Sequence, residues 1–292
     1  MAASGAAASA PAWREFRGMK TAVIVTTYNR PDALAAVLSG YEAQTDRDFE
    51  LVVADDGSTS ETAAVIQDYQ RRSQGPVRHV WQEDRGFRAA AIRNRAAAAT
   101  TADYLIFTDG DCIPSRQFVQ AHKRLAEPGY FLGGNRVLLS ERGTQRVLDG
   151  RLSIHEWGWA QWSLAWARRE VNRLLPLLVL PDGCFRKWEP ERWKGIKTCN
   201  LSLWRSDLVR VNGLDESYEG WGLEDTDLVV RLLRIGVTHK TARYAAPVFH
   251  LWHREQARSG LEENRVRLEH VLRSQDTQAG KGLARYLMGA EI

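Results

Sequence analysis

Residues 104–111 read YLIFTDGD, an apolar run that ends in two carboxylates, Asp109 and Asp111, spaced two residues apart. A short run rich in β-branched and aromatic residues predicts a buried strand. Helical periodicity follows each of three comparable runs, at residues 21–26, 49–54 and 77–81. Strands that alternate with helices predict a parallel sheet covered by helices. The chain is therefore expected to be an α/β protein.

Polar residues stand at the carboxyl ends of three of these four strands. They occupy residues 28–30, 55–56 and 109–111. In open α/β sheets, ligands bind beyond the carboxyl ends of the strands. The three clusters therefore predict one binding site at this edge of the sheet.

Composition limits the classes of protein to consider. The chain has 292 residues, enough for one large domain or two small ones, and 44% of them are hydrophobic. These values exclude disordered, coiled-coil and collagen-like proteins. The net charge of +4 is too small to indicate nucleic acid as a partner.

Cysteine spacing and hydropathy bear on location. The three cysteines form no CxxC pair, which excludes a zinc ribbon and favours a reducing, cytoplasmic compartment. No apolar run reaches the ~18 residues that a membrane span needs. Residues 1–18 are small and polar, and we expect them to form a flexible leader.

The turn formed by Asp109, Gly110 and Asp111 is a candidate metal site. Carboxylate oxygens bind hard divalent cations, and such cations bridge phosphate oxygens. A polar turn in which an aspartate caps a helix would also explain these residues. The strand-end position and the companion motifs favour the metal site. Residues 131–139 predict a further strand after this turn.

Asp55 and Asp56 form a second acidic turn with Gly57 and Ser58. A carboxylate at this position can accept an N–H of a nucleotide base. Alternatively, Asp56 and Gly57 only turn the chain, and Ser58 caps the next helix. Taken by itself, the turn favours the second interpretation.

Residues 220–225 read GWGLED and precede a strongly periodic helix. The glycines allow close backbone approach around Trp221. Glu224 and Asp225 open the helix, where the dipole favours negative charge. That preference, extended to Asp227, would explain the acids but not the glycines and the indole. The motif therefore favours a general base at the mouth of a pocket.

Two histidines and two arginines are further candidates. Imidazole can complete a metal site begun by carboxylates, particularly for manganese, so we expect His250 or His253 on metal or phosphate. A lone histidine is more often a polar core or surface residue. Arg88 and Arg93 flank a predicted helix N-terminus and can neutralise a diphosphate. A solvated basic helix face explains them equally well.

Together these motifs resemble a family 2 nucleotide-sugar glycosyltransferase with the GT-A fold. The resemblance covers residues 20–255 and rests on VIVTTYNRP, ELVVADDGSTSET, GFRAAAIRN, YLIFTDGDCIP and the block from KTCNLSLW to GWGLEDTDLVVRL. That block also resembles β-1,4-galactosyltransferases and chondroitin polymerases. The resemblance implies a Rossmann-like, mostly parallel sheet flanked by helices, with a Trp/Arg-rich helical insertion and a C-terminal helix.

The resemblance implies a role for each motif in binding a UDP-sugar. Asp56 would meet the base, and Asp109 and Asp111 would form the DxD motif. The second aspartate usually takes the metal, Mn²⁺ or Mg²⁺, directly, and the first faces ribose or metal. His250 matches the C-terminal metal histidine, with His253 as its rival. The nucleoside pocket would be lined by Thr26, Tyr28 and Arg30.

The GWGLED block carries the implied catalytic roles. Asp225 matches the catalytic base, Glu224 would hold the acceptor or donor sugar, and Trp221 would pack against a sugar face. The implied reaction is a metal-dependent, inverting transfer to a hydroxyl of a glycan or lipid-linked glycan. The expected context is synthesis of a bacterial surface polysaccharide or lipopolysaccharide.

Two other functions compete with this interpretation. The chain could be a catalytically inactive module that binds nucleotide-sugar or glycan within an assembly, although acids stand at every matched position. A sugar nucleotidylyltransferase also combines an α/β sheet with acidic metal ligands. Its Gly-rich basic loop is missing, because TTYNRP stands there instead.

Six of the 11 tryptophans fall in residues 157–197, and that stretch carries a local net charge of +4 (eight basic residues minus four acids). Tryptophan with arginine is typical of interfacial surfaces, and aromatic faces also stack on sugars. We expect the acceptor side here, with peripheral contact to an anionic membrane; packing of a small helical subdomain is the alternative. The expected organisation is a nucleotide-sugar-binding half (19–140), an acceptor-binding and catalytic half (141–255) and a helical extension (256–292).

Overall fold

The structure is a computed structural model that describes residues 18–150, 152–254 and 260–287. Apart from Gly18, the expected leader lies outside the described residues. Parts of the expected C-terminal extension also lie outside them.

The first half alternates strands and helices as predicted. Four parallel strands are connected by three helices: β1 (Thr21–Thr27), α1 (Pro31–Glu42), β2 (Glu50–Asp55), α2 (Ser60–Arg72), β3 (Val77–Trp81), α3 (Ala89–Ala98) and β4 (Tyr104–Asp109). Helices cover both faces of the sheet, so the inner strands are apolar throughout. Alternate residues serve opposite cores: Val23 and Val25 face one apolar cluster, and Ala22 and Ile24 face the other.

The second half completes the central sheet and adds a small one. Its elements are β5 (Cys112–Pro114), α4 (Phe118–Leu125), β6 (Tyr130–Gly133), β7 (Arg136–Leu138), α5 (Glu141–Leu148), α6 (Trp159–Ala167), β8 (Asn200–Trp204), α7 (Arg205–Arg210), α8 (Glu224–Arg234), β9 (Thr238–Thr241), β10 (Val248–His250), α9 (Leu261–Arg273) and α10 (Ala284–Leu287). The central order is β3-β2-β1-β4-β8-β6-β9, and β8 runs antiparallel to both neighbours. The small sheet has the order β5-β10-β7.

The predicted strand at 131–139 is wrong as a single element, because the chain changes sheets in its middle. β6 pairs with β8 and β9, whereas β7 pairs with β10. At the break, the Gly134 N–H donates to the Asn200 carbonyl at 2.8 Å. A Cβ at Gly134 would lie 2.1 Å from Asn200 Oδ1. The close approach requires glycine, and it directs β7 towards the strand that carries His250.

The Trp/Arg-rich segment contains α6 and two short 3₁₀ helices, Leu175–Leu177 and Cys184–Lys187. Trp162 is buried and anchors α6, because its ring lies 4.6 Å from that of Phe249 on β10. Within the described ranges, none of the helices is long and apolar enough to cross a membrane.

Candidate active site

The sheet register brings the three polar clusters to one edge, as predicted. β1 lies between β2 and β4, with Thr27 opposite Asp55 and Thr26 opposite Asp109. Backbone hydrogen bonds then attach both turns to β1, from Asp56 N to Thr27 O at 3.0 Å and from Gly110 N to Thr26 O at 2.7 Å. The ends of the strands therefore fix these turns against each other.

The Asp55 carboxylate shapes its own turn. One oxygen accepts from the Ser58 N–H at 2.8 Å, and the other lies 2.9 Å from His79 Nε2. Burial alone would raise the pKa of Asp55, but these contacts outweigh it and lower that pKa. The helix-cap interpretation of Ser58 is wrong, because α2 begins at Ser60 and the Ser58 hydroxyl accepts from the Asn29 N–H at 2.9 Å.

Asp56 is buried at the adjacent position. Its Oδ2 accepts from the Arg88 N–H at 2.8 Å, and its Oδ1 accepts from the side-chain amide of Gln82. Burial raises the pKa of Asp56 despite these bonds. A carboxylate offers about four acceptor positions, so one further donor can be accommodated. The sequence analysis missed Gln82, for which no local pattern gives a signal.

The predicted nucleoside residues lie around this turn but make different contacts. The Tyr28 hydroxyl donates to Asp84 at 2.9 Å. Arg30 instead pairs with Asp32 at 3.0 Å. The Arg88 guanidinium donates to the Glu83 carbonyl, and its buried Nε has no partner among the described residues. Tyr28 and Arg88 thus border the Asp56 turn, while the Arg30 side chain is held at the start of α1.

Arg93 does not lie on a solvated basic face; that alternative is wrong. The side chain is 4% exposed and donates to Thr26 Oγ1 at 3.0 Å, Asp109 Oδ1 at 3.0 Å and Glu224 Oε1 at 2.9 Å. Burial alone would lower the pKa of Arg93, but Asp109 and Glu224 raise it. One charged guanidinium therefore joins β1, β4 and α8 and balances the partly exposed Asp109 carboxylate and the buried Glu224 carboxylate.

Asp111, His250 and His253 form a candidate metal centre. Asp111 Oδ2 lies 3.6 Å from His250 Nε2 and 3.4 Å from His253 Nε2, and the three potential ligand atoms lie within 4.8 Å of one another. β10 pairs antiparallel with β5, which places His250 opposite Cys112, next to Asp111. Burial lowers the pKa of His250, which favours the neutral, metal-binding imidazole.

These three side chains suit a divalent cation such as Mn²⁺, which accepts carboxylate oxygen and imidazole nitrogen together. Both histidines approach Asp111, so the geometry brings together the two residues that the sequence presented as rivals. Asp109 instead neighbours the thiols of Cys112 and Cys199. A hydrogen bond with Cys199 and burial raise the pKa of Cys112 well above its usual range, and a protonated thiol is a poor ligand.

Glu224 and Asp225 open α8 behind a turn of unusual backbone geometry. Gly220, Gly222 and Leu223 all have positive φ, at 75°, 87° and 79°. Burial and the adjacent Asp225 raise the pKa of Glu224, whose carboxylate is held by Arg93. Asp225 is 5% exposed; Lys197 Nζ lies 3.4 Å from each of its carboxylate oxygens, and the Thr226 hydroxyl donates to its Oδ1 at 3.3 Å.

Asp227, by contrast, has a structural role within α8, in line with the alternative that treated it as part of the helix and not of the site. It is 1% exposed, and Arg231 donates to it from Nε at 2.9 Å within α8. The two acids at the start of the helix face the site, while the third one stabilises the helix interior.

Asn264 on α9 supports the GWGLED turn and was not identified from the sequence. Its side-chain amide donates to the Glu219 and Gly222 carbonyls at 3.0 and 3.1 Å. Asn264 is 1% exposed, whereas Trp221 within the turn is 42% exposed. The last described long helix therefore positions the loop that presents Trp221.

Arg136 is a third residue that the sequence analysis missed, after Gln82 and Asn264. In the small sheet, β7 pairs in parallel with β10, with Leu138 opposite His250, so Arg136 and His250 project from the same face. Burial would lower the pKa of Arg136, but Cys199, Cys112 and the two DxD aspartates raise it. Among the described residues, no hydrogen bond or ion pair to its guanidinium is found. A cation thus lies beside the acidic pair without a fixed partner.

Two family models match the chain. The model described as glycosyl transferase family 2 matches residues 22–185, and the model described as N-terminal domain of galactosyltransferase matches residues 185–254. The boundary falls within the Trp/Arg-rich segment.

Curated relatives cover most of the chain. Validoxylamine A glucosyltransferase of Streptomyces hygroscopicus subsp. jinggangensis (strain 5008) is 32% identical over 234 residues, which are 76% of this chain and 53% of that protein. Hyaluronan synthase of Pasteurella multocida is 29% identical over 244 residues, 78% of this chain and 24% of that protein. The chain thus spans about half or less of the length of these relatives.

Solved structures share the fold. The mannosyltransferase PcManGT of Pyrobaculum calidifontis, in complex with GDP-Man and Mn²⁺, superposes with a TM-score of 0.56 at 19% identity, over 93% of this chain and 68% of that one. GalNAc-T7 with UDP, GalNAc and Mn²⁺ gives a TM-score of 0.59 at 14% identity, over 87% of this chain and 48% of that one. Both are GT-A glycosyltransferases, and the expected fold class is confirmed. Because the family 2 model matches more than half of its residues, this chain belongs to glycosyltransferase family 2.

Proposed function

We propose that the protein transfers a sugar from a UDP-sugar to a hydroxyl of a glycan or lipid-linked glycan, with a divalent cation and with inversion at the anomeric carbon. The observation that carries the proposal is the grouping of Asp111, His250 and His253 on one side of the DxD turn. On the other side, Arg93 connects Asp109 to Glu224, the first of the acids that open α8.

The donor half of the proposal uses the strand-end turns. Asp56 would accept from the base and Tyr28 would border the nucleoside. Asp111, His250 and His253 would hold Mn²⁺ or Mg²⁺, which offsets the negative charge that builds on the departing diphosphate. Arg136 would add a second cation to that phosphate because no described partner holds its guanidinium.

The acceptor half uses the start of α8. Asp225 would take the proton of the acceptor hydroxyl while that oxygen bonds to the anomeric carbon and the bond to UDP breaks. Its place beside Glu224, at the start of α8 that follows the GWGLED turn, supports this role. Lys197 Nζ, 3.4 Å away, would orient the Asp225 carboxylate before the reaction. A single displacement of this kind inverts the anomeric configuration.

The relatives support the acceptor class that we propose. A hyaluronan synthase and a glucosyltransferase are among them, so a glycan of a bacterial surface polysaccharide or lipopolysaccharide is the acceptor we propose. Residues 19–140 would bind the donor, 141–255 would bind the acceptor and carry out catalysis, and 256–292 would form the helical extension. We propose a cytoplasmic location for the reaction.

The test measures donor binding and transfer in the same preparations. Full-length protein would be titrated with UDP with and without Mn²⁺, and incubated with a panel of UDP- and GDP-sugars. We expect Asp111→Asn to weaken Mn²⁺-dependent UDP binding, and Asp225→Asn to retain it while losing transfer. Asp68→Asn, an exposed change on α2, is the matched control.

Full activity of both site variants would contradict the proposal. UDP binding without hydrolysis or transfer, across a broad acceptor panel, would instead favour the inactive binding module.

A further inference from the structure

Helix α6 carries two outward-facing tryptophans on a firmly anchored base. Trp162 and Ala165 are buried against the small sheet, whereas Trp159 and Trp166 are 52% and 54% exposed. Positions seven apart return to nearly the same side of a helix, about 10 Å apart along its axis. The two indoles therefore form a row along one side of α6.

Each indole lines a groove that also contains polar side chains. Trp166 borders an open cavity of about 530 Å³ with Leu138, Ser140, Arg169 and Asn172. Trp159 borders another of about 400 Å³, whose polar lining includes Arg116, Gln117 and His155. Among the residues that the structure describes, no hydrogen bond or ion pair is found for the side chains of Arg169, Arg116, Gln117 or His155. Hydrogen-bonding capacity thus stands beside aromatic faces in both grooves.

The Trp166 groove adjoins the candidate metal centre. Leu138, in its wall, is the register partner of His250. Two hydrogen bonds attach the chain after α6 to β7. The Asn172 N–H donates to the Leu138 carbonyl at 3.1 Å, and Asn172 Oδ1 accepts from the Leu138 N–H at 3.0 Å. A ligand in this groove would therefore lie next to the strand that carries a candidate metal ligand.

Aromatic faces next to free guanidinium, amide and imidazole groups fit the chemistry of a sugar ring. A pyranose presents an apolar C–H face that packs on an indole and an equatorial rim of hydroxyls that needs hydrogen bonds. Two such platforms about 10 Å apart along a helix can contact two different sugar units of one chain. A single small ligand would not need both.

The basic residues of the segment argue against a membrane surface here. Arg186 is 1% exposed and donates to backbone carbonyls, including Arg243 O at 2.8 Å. Lys187 pairs with Glu127 and Arg192 pairs with Glu189, each at 2.6 Å. Much of the local positive charge is thus already neutralised or buried, and concave grooves do not match a flat bilayer.

We propose that α6 and its two grooves bind the acceptor glycan at sugar units away from the reacting end. The inference rests on the proposed transferase function. It adds the binding track, with Trp159 and Trp166 as its stacking platforms and Arg169 as the cation in the groove that Leu138 lines. An acidic glycan would gain from that arginine, and a neutral one would use the rings and amides.

The test measures glycan binding by calorimetry on the full chain, with a hyaluronan hexasaccharide and a neutral chitin hexasaccharide as probes. We expect wild-type protein to bind at least one probe. Trp159→Ala and Trp166→Ala should each weaken binding severalfold, and the double variant should weaken it by more than about tenfold. Trp188→Ala is the control, because Trp188 is 77% exposed in the same segment but lines neither groove.

UDP binding in the presence of Mn²⁺, measured on the same samples, separates this inference from the proposed function. If UDP binding is absent while glycan binding still depends on the two tryptophans, the transferase proposal fails and the glycan track stands. If wild-type protein binds neither hexasaccharide, or the double variant binds like wild type, the glycan track is wrong. Loss of flotation with phosphatidylglycerol vesicles in the double variant, without any glycan binding, would assign these rings to a membrane instead.

Discussion

Replacing Arg93 with methionine tests whether the candidate site depends on one buried cation. The change keeps most of the side-chain volume and removes three hydrogen bonds, to Thr26, Asp109 and Glu224. Two carboxylates then lose their shared counter-charge, and Glu224 is itself only 7% exposed. Breaking a buried pair by removing one partner typically costs 3–5 kcal/mol. We expect the free energy of unfolding to fall by about that amount.

Urea denaturation at pH 7.5, followed by circular dichroism, measures the effect against Arg71→Met. Arg71 is also paired, with Asp68, but its side chain is 70% exposed, so this control should change stability by about 0.5 kcal/mol or less. Adding Glu224→Gln to Arg93→Met should restore part of the loss, because it removes one of the stranded charges. The deficit should also shrink as pH falls, since the pKa values of Asp109 and Glu224 are already raised and protonation removes their charge.

Equal stability of the Arg93→Met and Arg71→Met proteins would refute this account. So would a double variant that is less stable than Arg93→Met alone, because the stranded charge would then not be the source of the loss.

Three further outcomes are expected. Arg136→Ala should weaken UDP binding about tenfold while changing UMP binding little, which calorimetry with both nucleotides measures; equal losses would place this cation away from the second phosphate. Burial lowers the pKa of His122 from its ordinary 6.5 to about 4. Between pH 6.5 and pH 4 the unfolded chain therefore binds a proton at this histidine that the folded protein does not bind, so the free energy of unfolding falls as the pH is lowered. Urea titrations at pH 7 and pH 4 measure this effect. His122 should lower the free energy of unfolding by about 3 kcal/mol between the two pH values, and the His122→Gln protein should lack this contribution. Asn264→Ala should lower kcat with little change in UDP affinity, because Asn264 supports the GWGLED turn. The exposed change Val266→Ala is the control. Equal kcat values for the two variants would mean that the turn does not need the Asn264 hydrogen bonds.

The parts of the molecule that the sequence predicted are those governed by local patterns. The first four strands, their helices and the polar turns follow from apolar runs and turn residues within a few positions of each other. Their meeting at one edge follows from the rule for parallel sheets, and the registers of Thr26 with Asp109 and Thr27 with Asp55 confirm it.

Long-range contacts account for what the sequence did not predict. Arg93 contacts Thr26 and Glu224, which lie 67 and 131 positions away in the chain, so no local pattern distinguishes it from a surface arginine. The division of residues 131–139 depends on the approach of Asn200 to Gly134, which is likewise a tertiary contact. Arg136 and Asn264 owe their places to strand pairing and helix docking, neither of which leaves a motif.

The charge balance at the sheet edge links donor binding to the metal centre. Among the described residues that meet there, the four carboxylates of Asp109, Asp111, Glu224 and Asp225 outnumber the cations of Arg93, Arg136 and Lys197. Arg93 and Lys197 are already engaged with carboxylates. A nucleoside diphosphate adds negative charge to a site whose own negative charge is incompletely balanced, and burial makes that repulsion costly. A divalent cation at Asp111, His250 and His253 would reverse the sign of the local charge. Under the proposed function, the same groups that make the site acidic would therefore make tight donor binding conditional on metal, and Arg136 would be the cation left to meet the phosphate.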